Sequence, residues 1–216
     1  MSEFEKTDKN KIKRLPKRGD YDKKAVYEIV DASLIGHVGI VQDGAPIVIP
    51  TLIARDGDTL LLHGAATSRL MNESGSGIEV CVSVTHVDGL VLARSVFHHS
   101  VNYRSAVLFG TGHMVIDPDD KMKALEAFTE KLIPGRWDDS RLPYDNELKA
   151  TSVVALPIDL ASAKVRVGDP GDDEEDINLP YWSGVLPMKT VFGDPIDAPN
   201  LPAGIPIPDY ITTLIS

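Results

Sequence analysis

The sequence predicts a mostly β protein with flanking helices, built as an antiparallel, Greek-key-like barrel. Short apolar and β-branched runs recur along the chain, and Asp-Gly pairs stand between several of them, at positions 43–44, 56–57 and 88–89. An Asp-Gly pair between apolar runs is a hairpin signal. No regular alternation of strand and helix is present. Strands joined by hairpins, without helical crossovers, favour a barrel over a doubly wound sheet.

The elements follow from local patterns. Apolar or alternating runs predict strands at residues 34–41, 46–54, 59–63, 79–85, 90–93, 103–115, 152–157 and 161–167. Asp22 is a candidate N-cap for a short amphipathic helix over residues 23–33, and residues 68–74 predict one helical turn. Asp117-Pro118 begins the one long helix, which ends before Pro134-Gly135.

Three segments are expected: a basic N-terminal arm at 1–19, a barrel domain at 20–187 and a proline-rich C-terminal tail at 188–216. The arm carries five cations, Lys11, Lys13, Arg14, Lys17 and Arg18. It is either a solvated tail or an arm that folds over an anionic ligand or a neighbouring subunit. Residues 172–176 predict an exposed acidic turn, and the tail is expected to lie extended over the surface or over a partner.

Charge and composition exclude several classes. The chain has 22 Lys and Arg against 32 Asp and Glu, a formal net charge of −10, so its surface as a whole repels nucleic acid and anionic membranes. No apolar run approaches the ~20 residues of a membrane span, and no signal-peptide core is present. The single cysteine, Cys81, excludes an intrachain disulfide and fits a reducing compartment. A soluble cytoplasmic protein is expected.

Common catalytic motifs are absent from the sequence. Adjacent residues on a strand point to opposite faces, so His98-His99 would not share one metal, and no metal site is expected. There is no Gly-x-Ser-x-Gly nucleophile motif, no Gly-x-Gly-x-x-Gly and no Walker loop. A nucleotide would therefore be held by other groups.

Two stretches could form an anion site. Residues 60–69 (Leu-Leu-Leu-His-Gly-Ala-Ala-Thr-Ser-Arg) are an apolar run that ends at a histidine and opens into small residues, hydroxyls and Arg69. Small residues let a ligand approach the backbone, and arginine can grip a phosphate bidentately. Residues 93–110 are rich in donors, with Arg94 and Arg104 among them. The alternatives are a plain connection with surface ion pairs, or arginines that converge on one phosphate.

Several motifs together resemble a known family. They are Asp20-Tyr21, Val48-Ile49-Pro50-Thr51, Leu62-His63-Gly64 with Ser68-Arg69, residues 90–95, and Phe97-His98-His99-Ser100-x-Asn102-Tyr103-Arg104-Ser105. The chain resembles, from about residue 14 to residue 187, the pyridoxamine 5′-phosphate oxidase-related flavin-nucleotide-binding proteins, in the branch of the nitroimidazole-resistance proteins. The resemblance implies a split β-barrel, a homodimer, and FMN, or FAD in its place, bound at the dimer interface.

The resemblance also implies residue roles. The strand Val48, Ile49, Pro50 and Thr51 would flank the flavin ring, and Ser68, Arg69 and Arg104 would hold its phosphate, with Gly64 beside them. Candidates for the ribityl chain, ring or substrate are His63, Arg94, Ser95, His98, Asn102 and Tyr103, with His63 and His98 as proton donors. Trp182 resembles a late tryptophan that could reach the flavin, or it is interface core.

One departure bears on activity. True pyridoxamine phosphate oxidases have an Arg-Leu-His-x-Arg segment after that tryptophan, and here Trp182 is followed by Ser-Gly-Val-Leu-Pro-Met-Lys. That activity is therefore not expected. Three functions stay open: a flavin-dependent oxidoreductase acting on a small, for instance nitroaromatic, molecule; a flavin carrier or sensor without turnover; and a split barrel that holds another cofactor such as haem.

Overall fold

The computed structural model describes residues 2–215 and contains one sheet of nine strands with five α-helices around it. The strands are β1 Gly19–Asp20, β2 Ile35–Gln42, β3 Ala45–Asp56, β4 Thr59–Ala65, β5 Ser76–Leu92, β6 Ser100–Met114, β7 Thr151–Pro157, β8 Leu160–Arg166 and β9 Gly184–Pro187. The helices are α1 Lys23–Asp31, α2 Arg69–Ser74, α3 Pro118–Leu132, α4 Asp145–Ala150 and α5 Asp209–Ile215.

Six strands form a closed antiparallel ring in the order β2, β3, β4, β7, β6 and β5, and β5 returns to β2. The ring is split at two places. β3 pairs with β4 only through residues 53–56, and β6 pairs with β7 only through His113 and Met114. The rest of β6 pairs with β8, and β9 adds to β5. The predicted mostly β split barrel is confirmed.

The core lies on both sides of the ring. Alternation along β4 sends Leu60 and Leu62 into the barrel interior and Leu61 outward, under α3. The outer cluster includes Phe128 of α3 and Val153 of β7. Both predicted N-caps are present, because the Asp22 carboxylate accepts from the Lys24 N–H and the Asp117 carboxylate from the N–H groups of Asp119 and Asp120.

One predicted turn is wrong. The Asp88-Gly89 pair does not end a strand, because β5 continues through it with only a register irregularity between Val87 and Gly89. β6 pairs along nearly the whole of β5, and β9 pairs with residues 89–92, so long-range pairing overrides the local turn signal. The short elements β1, β9, α4 and α5 were not predicted.

The N-terminal arm packs on the barrel. Phe4 is 4% exposed and its N–H donates to the Tyr21 carbonyl, although its neighbours are charged. Asn10 is buried and donates from Nδ2 to the carbonyls of Glu5 and Ala161. The first half of the arm is thus fixed to Tyr21 and to β8. In the second half of the arm the side chains of Lys11, Lys13, Arg14 and Lys17 are exposed.

Candidate functional site

The unpaired edge of β3 is the first part of the candidate site. Residues 45–52 pair with β2 on one side only, and Val48, Ile49, Pro50 and Thr51 lie in the middle of this stretch. A one-sided strand leaves alternate N–H and C=O groups free for another chain or a ligand. Pro50 has no N–H to donate, and a one-sided strand is where a proline is tolerated. Val48 and Pro50 point outward and are exposed.

An uncharged outer face extends from this edge across four strands. Cross-strand partners share a face, so the register aligns Val48, Gly39, Cys81 and Phe109 in one row and Pro50, His37, Ser83 and Val107 in the next. A further row holds Leu52, Ile35, Thr85 and Ser105. No Asp, Glu, Lys or Arg stands in these rows. The rows mix apolar and uncharged polar side chains, and at the β6 end Lys9 Nζ lies 5.1 Å from the centroid of the Phe109 ring. An uncharged surface beside a free strand edge is suited to contact with another molecule.

The stretch from β4 to α2 places the predicted anion loop at the end of a strand. Gly64 lies against Met71 of α2, where an added Cβ would approach the Met71 Cγ to 3.1 Å. Ser68 precedes α2 and makes no side-chain capping hydrogen bond. Arg69 opens the helix and is exposed, and within residues 2–215 its guanidinium has no ion-pair or hydrogen-bond partner. This arginine is available to an anion.

His63 lies on the outer face of β4, beneath α3. Its ring packs against Phe128 with centroids 4.3 Å apart, and its Nδ1 is buried without a hydrogen-bond partner among the described residues. Burial lowers the pKa of His63. The ring borders a cleft of about 440 Å³ whose apolar walls include Leu52, Leu125, Leu132 and Trp137. His63 thus carries a buried nitrogen without a partner in the described chain, and its ring borders a cleft that is apolar on the α3 side and polar at Arg141 and Glu147.

Arg94 and the segment around it are held by acidic residues. The Asp172 carboxylate accepts from the Arg94 backbone N–H at 2.6 Å and from the guanidinium at 2.6 Å. The Ser183 hydroxyl, with Arg94, holds the pKa of Asp172 below its usual range. His98 Nε2 lies 3.0 Å from an Asp173 carboxylate oxygen. The exposed acidic turn predicted at 172–176 is therefore wrong for Asp172, whose side chain is 8% exposed.

The neighbouring site candidates lie at the start of β6. Ser95 accepts from the Phe97 N–H, and Asn102 is buried between Gly168 and Arg166, donating to the carbonyl of the first and accepting from the second. Tyr103 is half-buried beside Arg166. Apart from Tyr103, these groups are engaged within the chain.

Arg104 forms a bidentate pair with Asp88. Nε and one terminal nitrogen of the guanidinium donate to the carboxylate at 2.9 and 2.8 Å. These bonds hold the pKa of Asp88 below its usual range. The pair lines a cleft of about 760 Å³ between the end of α1, β5 and the first residues of the tail. Both side chains are partly exposed, so the pair is screened by solvent.

Arg69 and Arg104 do not meet within one chain. α2 packs against the far end of β6, where an added Cβ on Gly112 would stand 1.9 Å from the Ser74 carbonyl oxygen. Arg104 lies eight positions earlier on that strand, which corresponds to ~26 Å of extended chain. The expectation that these arginines converge on one phosphate is not met by a single chain.

Trp182 precedes β9 and is exposed, with its ring against Gly184. The sequence did not indicate the acidic partners Asp88 and Asp172, nor the aromatic wall that Phe128 and Trp137 give the His63 cleft. Within residues 2–215 no group of three or more His, Cys, Asp or Glu side chains is arranged to hold a metal. No helix in that range is long and apolar enough to cross a membrane.

A split antiparallel ring with a free β3 edge defines a class of β-barrel proteins, and comparison with known proteins gives the family. The chain belongs to the pyridoxamine 5′-phosphate oxidase family, whose model matches residues 22–165. The family resemblance predicted from the motifs is thereby confirmed. A search of curated protein sequences gave no significant match.

Two solved structures are similar over nearly the whole chain. The flavocytochrome Anf3 from Azotobacter vinelandii is 36% identical, with a TM-score of 0.90 over 96% of this chain and 97% of that one. The FAD and haem binding protein from Mycobacterium smegmatis is 38% identical, with a TM-score of 0.87 over 92% and 97% of the two chains. A candidate 5-nitroimidazole antibiotic resistance protein from Bacteroides thetaiotaomicron, 22% identical, shares the fold with a TM-score of 0.55 over 68% and 86%.

Proposed function

We propose that the protein binds a flavin nucleotide between two copies of the chain and acts as a flavin-dependent oxidoreductase on a small molecule. The observation that carries the proposal is Arg69, a cation with no partner in the described chain, which opens α2 after the short loop that follows β4. The family and the two similar flavin-containing structures, named a flavocytochrome and an FAD and haem binding protein, support it.

The free edge of β3 and the β4–α2 loop would contact different parts of the flavin nucleotide. Backbone groups of Val48–Thr51 are suited to the polar edge of a flat ring, and the outward side chains of Val48 and Pro50 give it an apolar contact. Ser68 and Arg69 are suited to the phosphate, because both offer uncommitted donors. The ring edge and the phosphate would thus be held by neighbouring parts of one chain.

The second copy supplies what one chain lacks. The uncharged outer face begins at the β3 edge and continues across β2 to β5, and an isologous contact between two such faces would bury both. Arg94, Ser95, Asn102, Tyr103, Arg104 and Trp182 lie away from Arg69 in one chain, so they would contribute from the partner. A homodimer therefore reconciles these residues with one flavin site.

The flavin is proposed to be FAD in preference to the FMN that the resemblance implied. The similar protein from M. smegmatis is named as an FAD and haem binding protein, at 38% identity. The bound flavin would supply hydride and electron transfer, and the protein would supply orientation and electrostatics. His63 and His98 are the proton-donor candidates that the resemblance implied, and His98 Nε2 lies 3.0 Å from an Asp173 carboxylate oxygen.

The His63 cleft favours haem as a second cofactor. The His63 imidazole and the walls of Leu52, Phe128 and Trp137 are of the residue types that would hold a haem, and Arg141 and Glu147 line the same cleft. The lowered pKa keeps the His63 ring neutral at pH 7, the form that ligates a metal. A bound haem would supply one-electron transfer. Both similar structures are named for haem or a cytochrome.

The purified protein tests both proposals directly. A flavin gives absorbance bands that differ from the Soret band of haem, and chromatography of the cofactor released by denaturation separates FAD from FMN. Sedimentation of the same sample gives the oligomeric state. A protein that stays colourless and binds no added FAD or FMN would contradict the flavin proposal. Oxidation of NAD(P)H with a nitroaromatic acceptor would favour an enzyme over a carrier or sensor.

Arg69→Ala tests the phosphate contact. We expect it to weaken flavin binding about tenfold or more, because a charge-assisted bidentate contact contributes roughly 1.5–3 kcal/mol. The control is Arg14→Ala, an equally exposed arginine of the arm, which should leave the affinity within about twofold. Equal losses in both variants would indicate only general electrostatic attraction and would refute the assignment.

A further inference from the structure

The α3–α4 loop, residues 133–144, separates two clefts. On one side of the loop, Trp137 and Arg141 line the His63 cleft. On the other side, Arg136 and Asp139 line a cleft of about 900 Å³ whose remaining walls come from the C-terminal tail. The loop therefore lies between the His63 cleft and the tail, and a movement of the loop would change both.

The first residues of the loop are bound to α3 by one carboxylate. Glu130 accepts hydrogen bonds from the backbone N–H of Gly135 at 2.7 Å and from that of Trp137 at 2.9 Å. These bonds hold the pKa of Glu130 below its usual range. None of residues 133–144 is buried, however. A segment with few buried contacts opens at a lower free energy than a barrel core does, so a contact from outside the loop has a large effect on its position.

Tyr210 of α5 supplies such a contact. Its hydroxyl donates to the Asp139 carboxylate at 2.6 Å and accepts from the Arg136 guanidinium at 3.0 Å. Its ring lies over Gly135, where an added Cβ would stand 3.6 Å from the Tyr210 Cδ1. None of residues 209–215 is buried, and most of the tail before them has no regular structure. The contacts between α5 and the loop can therefore be released without disturbing the core of the barrel.

We propose that Tyr210 is a latch: by its contacts with Arg136, Asp139 and Gly135 it keeps the α3–α4 loop in place beside the His63 cleft. While α5 is docked, Trp137 stays in the wall of the cleft. When α5 leaves, the loop loses its outer contact and the cleft opens to a ligand of His63, as a lid does. The identity of that ligand, haem, rests on the proposed function, whereas the latch is a property of the chain without a cofactor.

The accessibility of His63 in the cofactor-free protein tests the latch. Diethyl pyrocarbonate modifies neutral imidazole, and peptide mapping by mass spectrometry gives the rate at each histidine. His113, which is exposed on β6, is the internal reference. The variants are Tyr210→Ala, which removes the ring and the hydroxyl, and Tyr210→Phe, which removes the hydroxyl alone. The matched control is Thr212→Val, which removes from the same helix a hydroxyl that donates to the Asp209 carbonyl within α5.

We expect the rate at His63, divided by the rate at His113, to rise at least ~3-fold in Tyr210→Ala, since two charge-assisted but exposed hydrogen bonds and a ring contact are lost. Tyr210→Phe should show a smaller rise, and Thr212→Val should stay within about 1.5-fold of wild type. A second readout is the fluorescence of Trp137, which is the single tryptophan in a Trp182→Phe background. Acrylamide should quench it more strongly in Tyr210→Ala.

The outcomes separate the latch from the haem proposal. An unchanged rate ratio in a folded Tyr210→Ala protein would overturn the latch and leave the haem proposal intact. If thermal unfolding shows that Tyr210→Ala does not fold, the same ratio in Tyr210→Phe decides. With added haem, Tyr210→Ala should bind faster than wild type, as followed at the Soret band. A wild-type protein that binds no added haem, together with a raised ratio in Tyr210→Ala, would overturn the haem proposal and support the latch.

Discussion

Replacing His63 by phenylalanine should stabilise the cofactor-free protein. A buried polar atom without a partner costs about 1–3 kcal/mol, and His63 Nδ1 is such an atom. The ring as a whole is half-buried, so we expect the lower end, about 1 kcal/mol. The open cleft beside it accepts the slightly larger ring, and the contact with Phe128 is kept. For a chain of this length, 1 kcal/mol corresponds to roughly 2–4 °C in Tm.

The same substitution should change how stability depends on pH. The pKa of His63 is lowered in the folded state by burial, so in acid the unfolded chain binds the proton that the folded chain resists. Stability therefore rises with pH and is lost as the pH falls below the ordinary value of 6.5. Phenylalanine has no such proton. The advantage of the variant should consequently be larger at pH 5.5 than at pH 7.5.

Urea unfolding of the cofactor-free proteins at the two pH values measures both effects. The matched control is His113→Phe, because His113 is an exposed histidine on β6. Its difference from wild type should be small, because the His113 side chain is exposed. A His63→Phe protein that is less stable than wild type, or whose advantage does not grow in acid, would refute the assignment of an uncompensated buried nitrogen. The variant should also lose haem binding while it keeps flavin.

Two further predictions concern β6. Gly112→Ala should destabilise the protein by about 3 kcal/mol or more and lower its flavin affinity, because the added Cβ would meet the Ser74 carbonyl oxygen and displace α2. The measurement is thermal unfolding. The control is Gly171→Ala, since no atom lies within 4 Å of a Cβ added there. Arg104→Ala should lower the free energy of unfolding by no more than about 1 kcal/mol at pH 7 and weaken flavin binding less than Arg69→Ala. Because the Arg104 hydrogen bonds hold the pKa of Asp88 below its usual range, the stability difference should shrink as the pH falls through that lowered value. A difference that does not shrink at all between about pH 6 and pH 2 would exclude the ion pair as its source.

The strands could be predicted because their signals are local. The Asp43-Gly44 and Asp56-Gly57 turns join β2, β3 and β4 as expected, with positive φ at Asp43, Gly44 and Gly57. Alternation along β4 correctly separates Leu61 from Leu60 and Leu62. Successive side chains of a strand point to opposite faces, so apolar residues at every second position show which face of the strand is buried.

The features that the sequence did not predict depend on contacts between residues distant in the sequence. Asp172 lies 78 positions from Arg94, and Asn10 lies 151 positions from Ala161, so no local spacing reports either contact. The continuation of β5 past Asp88-Gly89 depends on β6 and β9. In each case the structure depends on contacts between residues far apart in the sequence, which local propensity does not report.

The arginines of the candidate site separate by whether the fold has supplied an acid. Arg94 and Arg104 each have a carboxylate within hydrogen-bond distance, and Arg69 has none in the described chain. Arg14, Arg18 and Arg166 also lack a carboxylate partner in the described chain, so Arg69 is distinguished by its position at the start of α2, just after β4. By residue type alone, Arg69, Arg94 and Arg104 are equivalent candidates for binding an anion. The ion pairs leave Arg69, of these three arginines, free to bind an anionic ligand. Arg94 and Arg104 could bind a flavin phosphate only if the phosphate or a second copy of the chain displaced Asp172 or Asp88.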